Sequence, residues 1–333
     1  MNIENADLWT LRTAAGSAPA VSQIDYFRRR LGVRTVAADS NPLSIGLFMA
    51  DKGHCVPKAS APDYIDILIG ICEREKVTAF LPALDEELVQ VEAASQRFAG
   101  IGTMVLLSGR TTLELCTDKW SLYEFFTEHG FPTIRTRKGS DAHTCISDSE
   151  FPQLIKPRRG RGSTGIFVAK TPDELKFFLS YVNDPIVQPY ITGSEYTIDV
   201  LADWNSETVV IAPRRRIAAD SGISYKGQVV SNSGMVAIVR EMVRALKLIG
   251  PANIQCFIDN HGQLLFSEVN ARLAGSSILT AAAGIPLYEG IVDMIRGRTP
   301  SVCLDSSQDL VMLRYWSELY VSADRARTFG WNT

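Results

Sequence analysis

A short basic, glycine-rich segment is the first part of this sequence that points to chemistry. Residues 156–165 read KPRRGRGSTG, which places three glycines within residues 160–165. Glycines let the backbone approach a ligand closely, and exposed N–H groups, hydroxyls and arginines can surround anionic oxygens. The candidate phosphate-binding residues are Lys156, Arg158, Gly162, Ser163, Thr164 and Gly165. A basic surface hairpin has the same composition, and the segment is not a Walker A loop because its lysine precedes the glycines.

A second group of residues has the chemistry of a magnesium site. An Asn-His-Gly turn signal at residues 260–262 predicts a β-hairpin that places Gln255 approximately opposite Ser267 and Glu268. Asn270 shares a face with Glu268 because side chains alternate along a strand. One carboxylate and two amide oxygens suit Mg²⁺, which completes its shell with phosphate and water. Arg272 follows directly, so we expect a phosphoryl-transfer site here; a solvated hairpin face is the alternative.

A broken strand provides a third candidate site. Residues 188–195 read QPYITGSE, so an apolar strand stops at Pro189 and resumes after Gly193. Unpaired backbone groups at such a break could pair with the edge of a purine, and Glu195 could accept hydrogen bonds from ribose hydroxyls. An ordinary loop between strands is the alternative. The candidate nucleotide-binding residues are Gln188, Pro189, Tyr190 and Glu195.

The elements that must position these residues fall into three units. Strand and helix signals alternate over residues 8–107, which predicts a parallel sheet with helices on its faces. A second α/β unit follows the helical residues 111–130, and longer β-segments begin at residue 195, with a closing strand or two expected within residues 309–321. These signals predict an α/β fold class, and the resemblance described below implies that the second and third units are α+β. The predicted domains are residues 1–110, 111–190 and 191–333.

Taken together and in order, these motifs resemble those of the ATP-grasp superfamily. Two further segments fit the resemblance, ADSNPL at residues 38–43 and LPALDEEL at residues 81–88. The chain looks most like the stand-alone proteins that are similar to one half of the carbamoyl-phosphate synthase large chain. The resemblance covers approximately residues 30–320.

The resemblance implies an ATP-grasp fold with an N-terminal Rossmann-like domain, a small lid subdomain with a linker helix, and a C-terminal subdomain with the metal site. ATP would lie between the last two, with two Mg²⁺ ions for which Mn²⁺ could substitute. Lys119 and Lys156 would contact the phosphates, and the glycine-rich loop would close over them. Gln188 and Tyr190 would offer backbone groups to adenine, and Arg272 would neutralise the transferring phosphoryl group.

Other charged residues have weaker interpretations. Arg214 and Arg216 share one face of a strand, and with the resemblance they are candidate catalytic residues that would bind a substrate carboxylate or the acyl phosphate. A solvated basic turn is the alternative. The acidic residues 85–87 are expected mainly to complement a helix dipole. Lys226 could reach phosphate or be a solvated lysine, and the segment 214–232 is expected to be a loop that shapes specificity.

Composition limits the classes of partner. The chain has 333 residues, 46% hydrophobic and 21% charged, with a formal net charge of −3. A chain so close to neutral is a poor binder of nucleic acid or membrane surfaces, and no apolar run approaches the ~20 residues of a membrane span. The six cysteines form no CxxC pair. Reduced thiols and a cytoplasmic location are therefore expected.

The resulting functional hypothesis is an ATP- and Mg²⁺-dependent ligase. A carboxylate would attack the γ-phosphate of ATP to give an acyl phosphate, and an amine or ammonia would displace phosphate. The partners would be small-molecule carboxylate and amine substrates, and a homodimer is compatible with the resemblance. The alternatives are a carboxylase-type or carbamoyl-phosphate-forming phosphotransfer, and an ATP-binding sensor or subunit without turnover.

Overall fold

The computed structural model describes residues 7–144, 150–160, 162, 164–220, 222–304 and 309–331. Its three sheets have five, six and four strands, and one sheet lies in each of the three predicted units. Ser163 and Arg161 of the glycine-rich segment lie outside the described residues.

The first unit is a parallel sheet with helices packed on it. Its strands, in the spatial order β3-β2-β1-β4-β5, are β1 (Trp9–Arg12), β2 (Arg34–Asp39), β3 (Lys52–Cys55), β4 (Ala79–Leu81) and β5 (Met104–Val105). Its helices are α1 (Ala18–Arg29), α2 (Ile45–Met49), α3 (Tyr64–Glu75), α4 (Asp85–Ala93) and α5 (Ser95–Gly100). The three central strands β1, β2 and β4 are largely buried because helices cover the sheet, whereas the edge strands β3 and β5 are partly exposed. Since β1 lies between β2 and β4, the chain winds outward from it in both directions.

Two helices lead out of this unit, α6 (Arg110–Thr117) and α7 (Lys119–Glu128). Asp118 begins α7, and its carboxylate accepts hydrogen bonds from the backbone N–H groups of Trp120 and Ser121, both at 3.1 Å. The apolar faces of the two helices, with Leu113 and Phe126, join the core of the third unit rather than that of the second. They therefore anchor the start of the second unit to the third.

The second unit is a small antiparallel sheet of order β6-β9-β7-β8. Its strands are β6 (Arg137–Lys138), β7 (Gln153–Pro157), β8 (Phe167–Ala169) and β9 (Pro185–Pro189), and its helices are α8 (Gly139–Thr144) and α9 (Pro172–Tyr181). The Thr171 hydroxyl caps α9 by accepting from the Glu174 N–H at 3.2 Å. The core of this unit is a small cluster of its own that includes Ile155 and Leu175.

The third unit is an antiparallel sheet of order β14-β13-β10-β11-β12-β15. Its strands are β10 (Gly193–Ala202), β11 (Thr208–Asp220), β12 (Ile223–Val229), β13 (Gly250–Asp259), β14 (Leu264–Asn270) and β15 (Val311–Leu313). Its helices are α10 (Ser233–Leu246), α11 (Ile278–Ala282), α12 (Leu287–Ile295) and α13 (Ala323–Arg327). The apolar face of α10, with Met235, Val239 and Val243, packs on one side of this sheet.

Alternation along the central strands separates a core face from a polar face. Ile198 of β10 and Ile254 of β13 belong to the core with α10. Their neighbours Thr197 and Gln255, which pair with each other in register, line a cleft on the opposite side. The polar face of the third sheet therefore forms one wall of the site.

Two expectations about elements need correction. The segment 214–232, expected to be a loop, is largely the hairpin of β11 and β12, so Arg214 and Arg216 lie within a strand rather than at its end. The closing strand expected within residues 309–321 is limited to Val311–Leu313. Among the described residues, no helix is both long enough and apolar enough to cross a bilayer.

Candidate functional site

A cleft of about 640 Å³ is lined by residues from all three units. Pockets of this size hold nucleotide- or drug-sized ligands. Most of the predicted site residues line it: Lys119, Lys156, Gly162, Thr164, Gln188, Pro189, Tyr190, Glu195, Arg216, Gln255, Glu268, Asn270 and Arg272. Of the other described candidates, Arg158, Gly165 and Arg214 are not among its lining residues.

Two lysines from different elements meet one carboxylate in this cleft. Lys156 at β7 lies 3.5 Å from Glu268 Oε1 and Lys119 at the start of α7 lies 3.9 Å from the same oxygen. Lys119 Nζ also donates to the Gly160 carbonyl at 2.8 Å, which ties it to the glycine-rich loop. Lys156 is 4% exposed, and burial lowers its pKa although Glu268 opposes the shift. Two ammonium groups with one carboxylate leave a local excess of positive charge, which suits a polyanion.

The three candidate magnesium ligands, Gln255, Glu268 and Asn270, line the same cleft. Gln255 pairs with Glu268 across the β13–β14 hairpin, and Asn270 pairs with Asn253. Asn270 Nδ2 donates to Asn253 Oδ1 at 3.1 Å. This contact uses the amide nitrogen of Asn270 and not its amide oxygen. No group of three or more His, Cys, Asp or Glu side chains suited to a metal occurs in the described parts of the chain. A cation here would therefore depend on one carboxylate, amide oxygens and the phosphates of a nucleotide.

Arg272 is held by an acidic residue of the first unit. Its Nε and Nη2 atoms donate to the two oxygens of Asp85, both at 2.7 Å, in a bidentate pair that joins β14 to α4. Burial opposes the charge on Arg272, but the Asp85 carboxylate outweighs it and holds the pKa of Arg272 above its ordinary value. Asp85 does begin α4, as the dipole interpretation predicts, and it also orients the cation beside the metal ligands.

The two candidate arginines of β11 differ in environment. Arg216 lines the cleft and its Nη1 atom lies 2.9 Å from Glu195 Oε1 on the neighbouring strand. Burial raises the pKa of Glu195, and Arg216 counteracts this only in part. Arg214 is 1% exposed and is held by both oxygens of Asp199, at 2.8 and 2.7 Å, and by Ser276. Arg214 is thus positioned to support the cleft wall rather than to contact a ligand.

Some polar groups of the predicted adenine-binding strand already form hydrogen bonds within the protein. The Tyr190 N–H donates to the Pro152 carbonyl at 3.0 Å, so it is not free to face a purine. Gln188 Nε2 donates to Thr136 Oγ1 at 2.9 Å, while Gln188 Oε1 is buried without a hydrogen-bond partner among the described residues. An orphaned buried acceptor at this point is the kind of group that a bound ligand satisfies.

The first arginine of the glycine-rich segment has a structural contact. Arg158 Nε lies 2.7 Å from Asp118 Oδ1, and Arg159 also pairs with this carboxylate at 3.0 Å. Although burial opposes ionisation, Arg158 and the helix N–H groups lower the pKa of Asp118. The side chain of Arg158 therefore holds the start of α7, and with it Lys119, instead of lining the cleft.

Two further charged residues from the sequence analysis, Glu87 and Lys226, are not among the residues that line the cleft. Glu87 is wholly buried and accepts hydrogen bonds from the Thr13 and Tyr64 hydroxyls, a structural role that sequence reasoning did not identify. Lys226 is an exposed residue of β12 and is not among the residues lining the cleft described here.

Sequence reasoning missed two cleft residues. Asn253 bridges Asn270 to the Arg272 carbonyl, at 3.1 and 3.0 Å. Arg12, the last residue of β1, is 2% exposed and lines the cleft from the first unit. Arg12 could have been identified from the sequence, because a charged residue at the carboxyl end of an apolar strand in an α/β unit lies where such folds bind ligands.

Comparisons with known proteins agree with this geometry. A family model described as an ATP-grasp domain matches residues 116–276, and one described as a PylC-like N-terminal domain matches residues 13–106. The carbamoyl-phosphate synthase of Methanobrevibacter smithii is 26% identical over 292 residues, which are 83% of this chain and 78% of that protein. The chain also matches large chains of carbamoyl-phosphate synthase, and it covers only 28% of the length of one of them.

Solved structures share the fold. The N5-carboxyaminoimidazole synthetase of Staphylococcus aureus has a TM-score of 0.73 at 14% identity, covering 94% of this chain and 84% of that one. The biotin carboxylase domain of the Hydrogenobacter thermophilus 2-oxoglutarate carboxylase, solved with MgADP and bicarbonate, has a TM-score of 0.71 at 17% identity. The match covers 89% of this chain and 72% of the chain of the carboxylase.

Proposed function

We propose that this chain is an ATP-grasp ligase whose cleft binds MgATP, activates a carboxylate as an acyl phosphate and joins it to an amine or ammonia. ADP and phosphate are the other products. The oxygen of the acid forms a bond to the γ-phosphorus as the bond from that phosphorus to the β-phosphate oxygen breaks. The amine nitrogen then bonds to the acyl carbon as phosphate leaves, and the proton that the nitrogen loses goes to water.

One observation supports this proposal above the others. Lys119, Lys156 and Glu268 come from three separate elements and meet within 3.9 Å. Burying two ammonium groups beside one carboxylate costs stability, because desolvation is only partly offset by the ion pairs. A bound triphosphate would offset the remaining positive charge, so the arrangement is favourable mainly when a nucleotide is present.

The donor set fits magnesium rather than a softer metal. Glu268, Asn270 and Gln255 offer only oxygens, and the adjacent lysines keep phosphate oxygens within reach of the same carboxylate. Glu268, Asn270 and Gln255 would hold Mg²⁺, which would supply positive charge that stabilises phosphoryl transfer. Lys119 and Lys156 would contact the phosphates beside it.

The remaining residues position and stabilise. Arg272, fixed by Asp85, directs its positive charge towards the reacting acid and phosphoryl group. Glu195 would accept from the ribose hydroxyls, and Gln188 Oε1 offers an acceptor at the base end of the cleft. No protein nucleophile is required, since positioning and electrostatic stabilisation can supply the rate of phosphoryl transfer.

The proposal is tested by ADP release from a panel of acids and amines. Bicarbonate belongs in the acid panel because a relative is named carbamoyl-phosphate synthase. We expect at least one pair to give ADP that depends on both substrates and on Mg²⁺. Glu268→Gln should abolish it, whereas Arg244→Gln, which removes an exposed ion pair with Glu207 far from the cleft residues, should not.

Two results would contradict the proposal. The first is that MgATP neither raises the melting temperature nor binds in calorimetry. The second is tight MgATP binding with no ADP from any pair, which would favour the alternative of an ATP-binding sensor.

A further inference from the structure

Arg12 occupies the place in the first unit where ligands bind in folds of this kind. It is the last residue of β1, and β1 lies between β2 and β4, so the connections on its two sides run in opposite directions. Open parallel sheets bind ligands in the crevice that forms at this switch point, beyond the carboxyl ends of the strands. Arg12 lines the cleft from this crevice and is only 2% exposed.

One edge of the Arg12 guanidinium has no hydrogen-bond partner among the described residues. This edge carries the Nε and Nη2 atoms, and both are buried. Arg214 and Arg272 use the same two atoms to hold Asp199 and Asp85, with distances between 2.7 and 2.8 Å. Arg12 therefore presents the edge with which other arginines of this protein bind a carboxylate.

The neighbours of Arg12 do not neutralise it. Its guanidinium lies 4.7 Å from the centre of the Phe27 ring, a contact that satisfies the face of the group but none of its in-plane N–H donors. Burial raises the pKa of the nearby Tyr288, so its hydroxyl stays protonated and bonds to Ser277. Burial also lowers the pKa of Arg12 to about 10, which still leaves it charged at neutral pH.

The start of α1 adds to the positive field on the same wall. Ser17, Pro19 and Ala20 of its first turn line the cleft, and the first turn of this 12-residue helix contains no acidic residue. Helix N-termini carry partial positive charge that favours anions, although here the Ser17 hydroxyl already accepts from the Ala20 N–H at 3.4 Å and Pro19 has no N–H. Gln23, one turn further along α1, lines the same wall.

We propose that Arg12 and the first turn of α1 form a subsite for a substrate carboxylate that is not phosphorylated. The planar Nε–Nη2 edge matches a carboxylate better than a spherical anion. Lys119, Lys156 and Arg272 belong to the other two units and serve the reacting groups, so Arg12 holds the second charged end of a substrate. The acid is then a diacid, or the amine is an amino acid. That the bound carboxylate belongs to a substrate rests on the proposed function, whereas the anion site itself does not.

A binding experiment tests the site without turnover. Acetate, succinate and L-glutamate are added to the full chain, and to Arg12→Met and Arg244→Met, in the presence of Mg²⁺ and a non-hydrolysable ATP analogue. We expect at least one of these carboxylates to raise the melting temperature of the native protein and of Arg244→Met, with no shift in Arg12→Met. Succinamide, which lacks the charge, should have no effect. Equal shifts in Arg12→Met, or no shift in the native protein with any of the three, would overturn the proposal.

Stability without ligand separates a binding role from a structural one. Arg12→Met removes a buried charge without a counter-ion and keeps a side chain of similar length, so we expect the ligand-free variant to melt at a higher temperature than the native protein. A purely structural arginine predicts the opposite, a lower melting temperature. The same variant thus gains stability while it loses carboxylate binding.

Kinetics then assign the substrate. With a pair that gives ADP, Arg12→Met should raise the KM of the carboxylate-bearing substrate at least about tenfold and leave the KM of ATP unchanged. The variant and the native protein should have the same KM for the corresponding methyl ester. If no pair gives ADP but succinate binding still depends on Arg12, the proposed function fails and the anion site stands. If ADP forms and its kinetics do not respond to Arg12, the subsite alone fails.

Discussion

Replacing Lys156 with methionine separates binding of a polyanion from stability of the fold. Methionine keeps an unbranched side chain of similar length but removes the charge that is 4% exposed at β7. The change leaves Glu268 with Lys119 as its remaining partner, at 3.9 Å. No carboxylate is therefore left buried without a cation.

The expected change in stability is small because two large contributions nearly cancel. Charges 3.5 Å apart, as in Lys156 and Glu268, attract by about 5 kcal/mol at an effective dielectric constant of ~20. Burial of the ammonium group costs several kcal/mol, and repulsion from Lys119 adds to this cost. The free energy of unfolding of Lys156→Met should thus lie within about 1 kcal/mol of the native value.

The expected change in function is large. Loss of one charge-assisted hydrogen bond to a phosphate, about 1.5–3 kcal/mol, lowers the affinity for ATP by roughly 10–150-fold. Loss of a cation aimed at developing charge lowers turnover by about 10²–10³-fold. Glu268→Gln is the matched comparison, because it leaves two lysines without a carboxylate. It should lower the free energy of unfolding by about 1–3 kcal/mol as well as abolish turnover.

Urea denaturation, calorimetric titration with MgATP and ADP release measure the three quantities. The reasoning is refuted if Lys156→Met keeps turnover within a few-fold of the native rate. It is also refuted if the variant is destabilised as strongly as Glu268→Gln, because Lys156 would then be a structural partner of Glu268.

Three further changes test the supporting contacts. Arg214→Met leaves Asp199 buried without a cation and should cost about 3–5 kcal/mol in urea denaturation; a full loss of activity at unchanged stability would instead place Arg214 in contact with substrate. Burial raises the pKa of Glu87 above its ordinary value of 4.5, so the protonated form favours folding and this contribution is lost as the pH rises through the folded pKa. The difference in unfolding free energy between the native protein and Glu87→Gln should therefore fall from pH 4.5 to neutrality; a flat difference would mean that Glu87 is ionised throughout. Asp85→Asn weakens the bidentate contact with Arg272 and should lower kcat about tenfold with an unchanged KM for ATP; an unaffected kcat would limit the pair to joining the two units.

The polar faces of the strands were predictable from local patterns. Alternation and the turn at residues 260–262 place Gln255 approximately opposite Ser267 and Glu268, and in the structure Gln255 pairs with Glu268 next to a register shift that the local pattern did not predict. The same rule separates Arg214 and Arg216 from Arg215. Helix starts were also predictable where a side chain caps the backbone, as at Thr171.

Partners distant in sequence were not predictable in this way. Arg158 lies in the glycine-rich segment, yet its side chain pairs with Asp118 rather than with the cleft. Arg214 has the same alternation as Arg216, but Asp199 and Ser276 hold it away from a ligand. The partner of each arginine depends on which element packs beside it, and the pattern of a single strand does not indicate that element.

The sequence by itself determined the chemistry of this protein: a glycine-rich loop with a lysine before it, an oxygen-donor hairpin, and their order along the chain. These are local properties, set by residue type, turn signals and strand periodicity. Only the tertiary structure decided which charges are neutralised. It pairs Arg272 with Asp85, Arg214 with Asp199 and both cleft lysines with Glu268. It leaves one edge of Arg12 without a hydrogen-bond partner in the described parts of the chain. Ion pairs across units depend on distances of a few ångströms between segments far apart in sequence, and those distances exist only once the three sheets have packed.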